Sequence, residues 1–377
     1  MDESKLKYHN KSDRPDNLVK RENDIIEKSL GLQAELPAFL EDYFLYLKTS
    51  VLPLSRLAYL QDVMFFCNYL VNEKKVTKAK FIKEISVSDF EKITAKDINY
   101  YLSEYCARYK VNNVIYENAN RSLSRKKSSL SVMFKFLYRD GTIPKNITEG
   151  FNPIRMPKAG EKEIKTLEDN EVVLMLDSVM NGTGMTKQER AFWKKTKKRD
   201  KAILVMFVTY GLRLYELEHL NISSFNFSRG EFKIYRKRGK EAEMPLNKSV
   251  EKVILDYIDS ERNLIENINS QDKDALFISL QGRRMTQRAI RDLSKKYTSK
   301  GMGTSKDAGY SPHKLRATAA TSLINNGNSI FDVQNLLDHD NITTTQLYAS
   351  HKKNTKKELI KNFEWLEEFD KGNKDKK

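Results

Sequence analysis

The chain contains few of the residues that would cross-link it covalently or hold it in a membrane. Its 377 residues include only two cysteines, Cys67 and Cys106, which lie in apolar helical surroundings without a CxxC pattern. This excludes a disulfide framework or cysteine-based zinc site and favours a reducing compartment. No apolar run approaches the ~18 residues of a membrane-spanning helix, and the polar residues 1–17 are unlike a signal peptide. These absences predict a cytoplasmic protein without membrane association.

Negative charge is scarce relative to positive charge. The chain has 67 lysines and arginines against 51 aspartates and glutamates, which gives a net charge of +16. Such an excess favours a polyanionic partner, most commonly nucleic acid, although a basic surface that only aids solubility stays open. Hydrophobic residues make up 39% and charged residues 31% of the chain. This balance is typical of globular proteins, and the length predicts two domains or three.

Hydrophobic periodicity divides the chain into segments. Residues 1–33 are charged and lack an apolar period, so we expect a basic flexible segment there. Apolar residues at spacings of three and four over residues 34–150 predict an all-α domain of four or five helices. Prolines, a glycine and alternating charges predict an exposed linker over residues 151–165. Residues 166–377 then form a second, mostly helical domain.

A β signal interrupts the helices of the second domain. Alternating apolar residues at 225–227, 232–235 and 242–246 predict three short strands joined by two turns. Pro245 cannot donate a backbone hydrogen bond, so the third strand is expected at an edge. The fold class predicted for the whole chain is therefore mainly α, with a small three-stranded antiparallel sheet in the second domain.

Four basic residues cluster near the start of the last helix of the first domain. They are Arg121, Arg125, Lys126 and Lys127. Most charge runs are solvated helix faces, and that interpretation stays open for this one. Lysine and arginine also supply the sequence-independent part of DNA affinity through phosphate contacts. Together with the net charge, this favours a DNA-binding role for the cluster.

A histidine and an arginine follow a strong helix-start signal. Ser311 and Pro312 suit the N-cap and first helical positions. His313 and Arg316 are three residues apart and therefore lie on one helix face, near backbone donors that suit a phosphate. Taken alone, so short a motif is more often structural, with the histidine in a capping role and the arginine in an ion pair.

A second histidine, His339, precedes Tyr348 by nine residues, about two and a half helical turns. One straight helix would place them on opposite faces. Asn341 and the threonines at 343–345 predict a break, so that Tyr348 would lie on a separate short helix. The alternative is that Tyr348 is simply a partly buried core residue.

The order and spacing of these motifs resemble the tyrosine recombinase (phage integrase) family. The matching motifs are TYGLRLYEL at 209–217, a lysine at 237 in the β-hairpin, HKLR at 313–316, His339 and Tyr348. The resemblance extends over residues 35–360. It implies a two-domain clamp around duplex DNA, with a SAM-like helical core-binding domain and a catalytic domain.

The resemblance also implies a role for each motif residue. Tyr348 would attack the scissile phosphorus to form a 3′-phosphotyrosine, while Arg213 and Arg316 hold the phosphate oxygens. Lys237 would protonate the 5′-hydroxyl leaving group, and His313 would accept or relay the tyrosine proton. The remaining assignments are a phosphate hydrogen bond for His339 and support of the first arginine for Glu216. Such chemistry conserves the bond energy, so neither ATP nor a metal cofactor is expected.

Three positions depart from the family pattern. Asp338 stands where a glycine usually precedes the second histidine, and Ala317 where many members carry histidine. The hairpin reads RKRGK, which leaves Lys240 as a possible substitute for Lys237. Asp338 next to the site either alters the pKa of His339 or caps a helix. None of these changes removes a catalytic side chain.

Three functions remain compatible with the sequence. The first is a site-specific recombinase acting at an inverted-repeat DNA site, as a dimer on one site and a tetramer in synapsis. Its role would be Xer-type chromosome dimer resolution, or integration and excision of a mobile element. The second is a catalytically silent DNA-binding protein of the same fold, and the third is a type IB topoisomerase. The resemblance implies that the helix around Leu359, Phe363 and Leu366 docks into a neighbouring protomer; packing on its own domain is the alternative.

Overall fold

The computed structural model describes residues 14–73, 76–156, 165–236 and 239–338. The chain divides into two compact units, residues 1–157 and residues 158–377. Both are mainly helical, which confirms the predicted fold class. No helix among the described residues is long and apolar enough to cross a membrane.

The described part of the first unit contains six α-helices and one two-stranded hairpin. A π-helical turn, Tyr101–Tyr105, continues the fifth helix. The elements are α1 (Asp16–Glu35), α2 (Glu41–Ser50), α3 (Pro53–Glu73), α4 (Val87–Glu91), α5 (Ala95–Tyr100), β1 (Arg108–Val111), β2 (Val114–Glu117) and α6 (Asn120–Arg139).

The long helix α1 corrects the prediction of a flexible segment over residues 1–33. It packs against α3, and Leu18 and Ser29 are buried along it. The sequence was misleading because α1 buries only a narrow stripe and most of its residues are polar or charged. Helices in proteins gain most of their stability from tertiary packing of such a stripe, and this contribution is invisible in the local sequence. Residues 1–13 lie outside the described residues.

The hairpin β1–β2 corrects the prediction that this domain is all-α. Its strands pair antiparallel, from Arg108 opposite Glu117 to Val111 opposite Val114. Asn112 and Asn113 form the two-residue turn, both with positive φ. Asparagine tolerates this left-handed conformation, and the backbone twist of such a turn matches that of the paired strands. The available signal was therefore the Asn-Asn pair between two short β-prone runs.

The core of the first unit is aromatic. Phe66 packs edge-to-face against Tyr101 and Phe134, with ring centroids 5.0 and 6.1 Å apart. Cys67 and Cys106 are buried free thiols, and burial raises the pKa of Cys67 to about 12. They therefore behave as small apolar core residues, as the sequence predicted.

The second unit contains eight described α-helices and the three-stranded sheet. The elements are α7 (Asp169–Asn181), α8 (Lys187–Trp193), α9 (Lys197–Tyr210), α10 (Leu214–Glu218), β3 (Phe225–Asn226), β4 (Glu231–Tyr235), β5 (Glu241–Pro245), α11 (Lys248–Ser260), α12 (Gln287–Gly301), α13 (Pro312–Asn325) and α14 (Ile330–Leu337).

The sheet confirms the strand prediction. Its order is β3-β4-β5, and β5 with Pro245 is an edge strand. Phe232 of β4 is fully buried and lies opposite Met244, with its ring against that of Phe225. The apolar face of the sheet thus joins the core of the second unit. This packing orients the turn between β4 and β5.

Helix α9 lies at the centre of the second unit. It contacts α7, α11 and α13, and Ile203, Leu204, Met206 and Phe207 are fully buried. A helix apolar on most sides is expected in a core. The C-terminal end of α9 therefore provides a rigid base for the residues that follow.

Candidate active site

The junction between α9 and α10 presents Arg213. Gly211 ends α9 in the left-handed conformation, with φ 59°, which glycine adopts at many helix ends. A Cβ at Gly211 would come within 2.7 Å of Leu337 Cδ2, so glycine also allows α14 to approach. Arg213 is the N-cap residue of α10, and its side chain is 34% exposed. Its guanidinium is thus held on a rigid base and still reaches solvent.

Glu216 holds Arg213 in place. Its side chain is 1% exposed. Oε2 accepts the backbone N–H of Arg213 at 2.7 Å, and Oε1 accepts Nη1 of Arg213 at 2.8 Å. Glu216 Oε2 also lies 3.9 Å from Nη1 of Arg316. One buried carboxylate therefore lies beside both arginines assigned to the phosphate.

Helix α13 carries His313 and Arg316. It begins with Ser311 as N-cap and Pro312 in its first turn, as predicted. Arg316 is 4% exposed; Nη1 donates to the carbonyl of Gly211 at 2.7 Å and Nη2 donates to the carbonyl of Leu337. Arg316 therefore connects α13 to the ends of α9 and α14. His313 is exposed in the first turn of the same helix.

The turn between β4 and β5 brings further positive charge to the site. Lys240 is 68% exposed at its side chain, and its carbonyl accepts the backbone N–H of Arg236 at 2.7 Å. Arg236 is 5% exposed and donates Nη2 to the carbonyl of Leu336 at 2.7 Å. Arg236 was not predicted from the sequence, because nothing in the run RKRGK distinguishes the arginine that turns inward. Lys237 lies outside the described residues.

Asp338 is the last described residue and lies among these cations. Its φ is 51° and its ψ is 56°. The backbone carbonyl of Asp338 accepts Nη2 of Arg213 at 2.8 Å, and Oδ1 accepts Nζ of Lys240 at 3.1 Å. Oδ2 lies 3.7 Å from Arg236 Nη1 and 3.9 Å from Arg213 Nη1. Partial burial opposes ionisation, but Lys240, Arg236 and Arg213 together lower the pKa of Asp338.

The structure thus brings Arg213, Glu216, Arg316 and Lys240 together, with Asp338 among them. His339 and Tyr348 lie outside the described residues. Asp338 directly precedes His339 in the chain. The described part of the site therefore gathers positive charge around one buried and one partly buried carboxylate.

The predicted DNA-binding cluster in the first unit is divided between surface and interior. Arg121 is exposed. Arg125 pairs with Asp62, although its side chain is 47% exposed. Lys127 donates to the carbonyl of Asn152 at 2.7 Å. Arg121 and Arg125 are therefore the most exposed members of the cluster.

Lys126 is largely buried, in contrast to Arg121 and Arg125. Its side chain is 10% exposed; Nζ lies 3.4 Å from Asp62 Oδ1 and 4.1 Å from the ring centroid of Phe65. Burial raises the pKa of Asp62, and the charges of Lys126 and Arg125 act in the opposite direction. A buried carboxylate needs such partners. The structure therefore gives Lys126 a structural role, in contrast to the assignment from sequence.

A second basic cluster, which was not predicted from the sequence, lies at the start of α13. Lys165, Lys295 and Lys314 line a pocket next to Tyr310 and Ser311. Nζ of Lys314 lies 4.1 Å from the ring centroid of Tyr310. Burial, together with the charges of Lys165 and Lys295, lowers the pKa of Lys314. The three lysines are too far apart in the chain to be recognised as a cluster without the fold.

The described residues contain no group of three or more histidine, cysteine, aspartate or glutamate side chains that could hold a metal ion.

Comparison with known proteins agrees with this geometry. The model of the phage integrase family matches residues 165–355. Tyrosine recombinase XerC of Natranaerobius thermophilus is 32% identical over 281 residues, covering 73% of this chain and 85% of that protein. XerC of Caldanaerobacter subterraneus is 30% identical over 325 residues, covering 83% of each chain.

Solved structures show the same fold at lower sequence identity. The XerH recombinase bound to palindromic difH, in a post-cleavage complex, has a TM-score of 0.61 at 19% identity, covering 91% of this chain and 89% of that one. A lambda integrase dimer bound to a core site has a TM-score of 0.56 at 14% identity, covering 84% of this chain and 95% of that one.

The fold and the arginine site define a tyrosine recombinase, an enzyme of site-specific DNA recombination. The chain belongs to the phage integrase family. The class of enzyme predicted from the sequence is therefore confirmed.

Proposed function

We propose that this recombinase resolves chromosome dimers at a dif-like inverted repeat, through a 3′-phosphotyrosine intermediate. The observation that carries the chemistry is the buried carboxylate of Glu216, which lies beside both Arg213 and Arg316. Two guanidinium groups held near one point suit the two non-bridging oxygens of a phosphodiester. They stabilise the charge that develops there in the transition state.

The proposed reaction exchanges one phosphate ester for another. The hydroxyl oxygen of Tyr348 attacks the scissile phosphorus as the bond to the 5′-oxygen breaks. His313 accepts the tyrosine proton, Lys237 or Lys240 donates a proton to the 5′-oxygen, and His339 hydrogen-bonds the phosphate. The 5′-hydroxyl of a second strand then reverses the step, so the bond energy is conserved.

The biological setting rests on the relatives. The XerC proteins of Natranaerobius and Caldanaerobacter match most of this chain at 32% and 30% identity. On this basis we propose chromosome dimer resolution as the role of this chain, with dimers on one inverted repeat and a tetramer in synapsis. The apolar face around Leu359, Phe363 and Leu366 would link protomers; it lies outside the described residues.

A covalent trap tests the proposed function. The full chain is incubated with a library of nicked duplexes that carry randomised inverted repeats, so that the cleaved end is lost and religation fails. We expect adducts that survive SDS and whose sequencing identifies the target site. Tyr348→Phe should bind the same DNA and form no adduct, because the nucleophile is absent.

The possible outcomes separate the alternatives. If the wild-type chain binds DNA as tightly as Tyr348→Phe and also forms no adduct, the protein is catalytically silent. Adducts without sequence preference, with relaxation of plasmids that lack the site, would indicate a topoisomerase. A recovered site at the ends of a mobile element rather than near the chromosome terminus would replace dimer resolution by integration and excision.

The lysine pocket at the start of α13 offers a further DNA contact. Lys165, Lys295 and Lys314 line it together with a single carboxylate, that of Asp307, so the lining keeps a net positive charge. Burial lowers the pKa of Lys314, and the charges of Lys165 and Lys295 lower it further. A bound anion would offset the repulsion between these like charges. We propose that this pocket holds a backbone phosphate next to the scissile one.

Lys314→Ala should weaken binding to every duplex by about the same factor and reduce the salt dependence of binding by roughly one counterion. Fluorescence anisotropy at several salt concentrations measures both quantities. Lys248→Ala, a matched change at the exposed start of α11, serves as the control. An unchanged salt slope for Lys314→Ala would contradict the proposed contact.

A further inference from the structure

Asp338 occupies a position that the proposed function assigns to a phosphate. Three cationic side chains of the described residues surround its carboxylate, at 3.1 Å from Lys240, 3.7 Å from Arg236 and 3.9 Å from Arg213. They belong to two separate segments, the β4–β5 turn and the junction of α9 and α10. Lys240 and Arg213 also bear roles in phosphate chemistry under the proposed function.

The hydrogen bonding of Arg236 indicates that the Asp338 carboxylate does not satisfy all of the hydrogen-bond donors around it. Nε and Nη1 of Arg236 are buried and have no hydrogen-bond partner among the described residues. Nη2 is used in its bond to the carbonyl of Leu336. A buried guanidinium with unused donors is costly. A larger anion with several acceptor oxygens would satisfy donors that one carboxylate leaves unused.

The backbone at Asp338 has a conformation that glycine adopts more readily than aspartate. Its φ of 51° lies in the left-handed region, where glycine would be unstrained and a side chain adds steric cost. Helix α14 could therefore end on glycine at this position. Aspartate differs from glycine at this position by its carboxylate, which lies among Arg213, Arg236 and Lys240.

We propose that Asp338 is a positioning residue whose carboxylate holds Arg213, Arg236 and Lys240 together without DNA and is displaced by the scissile phosphate. This proposal rests on the proposed function, because it identifies that anion as the DNA phosphate. The carboxylate keeps the like charges of the cluster in place and lowers its affinity for adventitious anions. DNA must then compete with an internal anion.

Inorganic phosphate is the probe that tests this proposal in the full chain. Asp338→Asn removes the charge and keeps the size of the side chain. We expect it to bind phosphate about tenfold more tightly than wild type, since the carboxylate that competes for the three cations has lost its charge. Asp332→Asn changes the same charge in the exposed first turn of α14 and should leave the affinity unchanged. Calorimetric titration at constant ionic strength measures the three affinities.

Asp338→Gly separates charge from backbone strain. It should gain phosphate affinity as Asp338→Asn does, because both changes remove the carboxylate. Equal or weaker binding by Asp338→Asn, binding too weak to detect, or a gain confined to Asp338→Gly would each overturn the proposal. Thermal unfolding verifies that both variants are folded.

A DNA readout extends the test. On the trapped target site, Asp338→Asn should lower the half-saturating DNA concentration, since the carboxylate no longer competes with the scissile phosphate. A lower adduct rate at saturating DNA, with no change in the half-saturating DNA concentration, would contradict competition between the carboxylate and the phosphate. The phosphate titration needs neither DNA nor Tyr348, so its failure is distinguishable from failure of the proposed recombinase chemistry.

Discussion

Replacing Arg213 with alanine should lower the rate of covalent adduct formation by roughly a thousandfold, while duplex binding weakens only modestly. The reason is that Arg213 stabilises charge that appears on the phosphate in the transition state. DNA affinity is in contrast shared among many phosphate contacts. Arg213 suits this test better than the buried Arg316, whose bonds to the carbonyls of Gly211 and Leu337 also support the fold.

Single-turnover cleavage of the trapped site measures this effect. Arg229→Ala is the matched control, because Arg229 is 75% exposed on the turn between β3 and β4 and pairs with the nearby Glu231. Arg213→Lys adds information, since lysine keeps the charge but lacks the planar fork, so most of the loss should persist. Cleavage by Arg213→Ala at the wild-type rate would show that this arginine does not stabilise the transition state.

Replacing Glu216 with alanine should have the largest effect on stability. Its carboxylate accepts two hydrogen bonds from Arg213 and lies 3.9 Å from the buried Arg316. Removing one partner of a buried ion pair leaves an uncompensated charge and costs about 3–5 kcal/mol. For a unit of about 200 residues this corresponds to a fall in Tm of roughly 10 °C. Adduct formation should fall as well, because both arginines lose their support.

Differential scanning calorimetry resolves the transition of the second unit. Glu216→Gln keeps an acceptor oxygen and should lose less stability than Glu216→Ala. Glu243→Ala is the control on an exposed carboxylate of β5, 3.7 Å from Lys233, where a surface ion pair contributes about 1 kcal/mol or less. A Tm for Glu216→Ala as high as that of the control would show that the carboxylate does not support the site.

Local rules succeeded where the information was local. Ser311 and Pro312 marked a helix start correctly, and the alternation around Phe232 predicted the sheet. Thr94 and Asp97 form a capping box of the same local kind, with Asp97 accepting the backbone N–H of Thr94 at 2.8 Å. Each signal depends on a few neighbouring residues and their backbone conformations.

Predictions failed where a contact with a residue distant in the chain determines whether a helix forms or a side chain is buried. Helix α1 was missed because α3 supplies the surface that its narrow apolar stripe covers. Lys126 was assigned to DNA because lysines contact phosphates and the chain is strongly basic, whereas in the structure it is buried beside Asp62, 64 residues away. The hairpin β1–β2 is the exception: its signal at Asn112 and Asn113 was local and was overlooked.

The sequence by itself determined the family and the enzyme class and predicted the candidate catalytic side chains, because a family resemblance depends on residue types and their order along the chain. Tertiary structure alone decided how those groups are held. Folding placed Glu216 beside both arginines and Lys314 beside two distant lysines. It also placed Asp338 among Arg213, Arg236 and Lys240. Electrostatic interactions depend on distance and burial, which sequence separation does not specify.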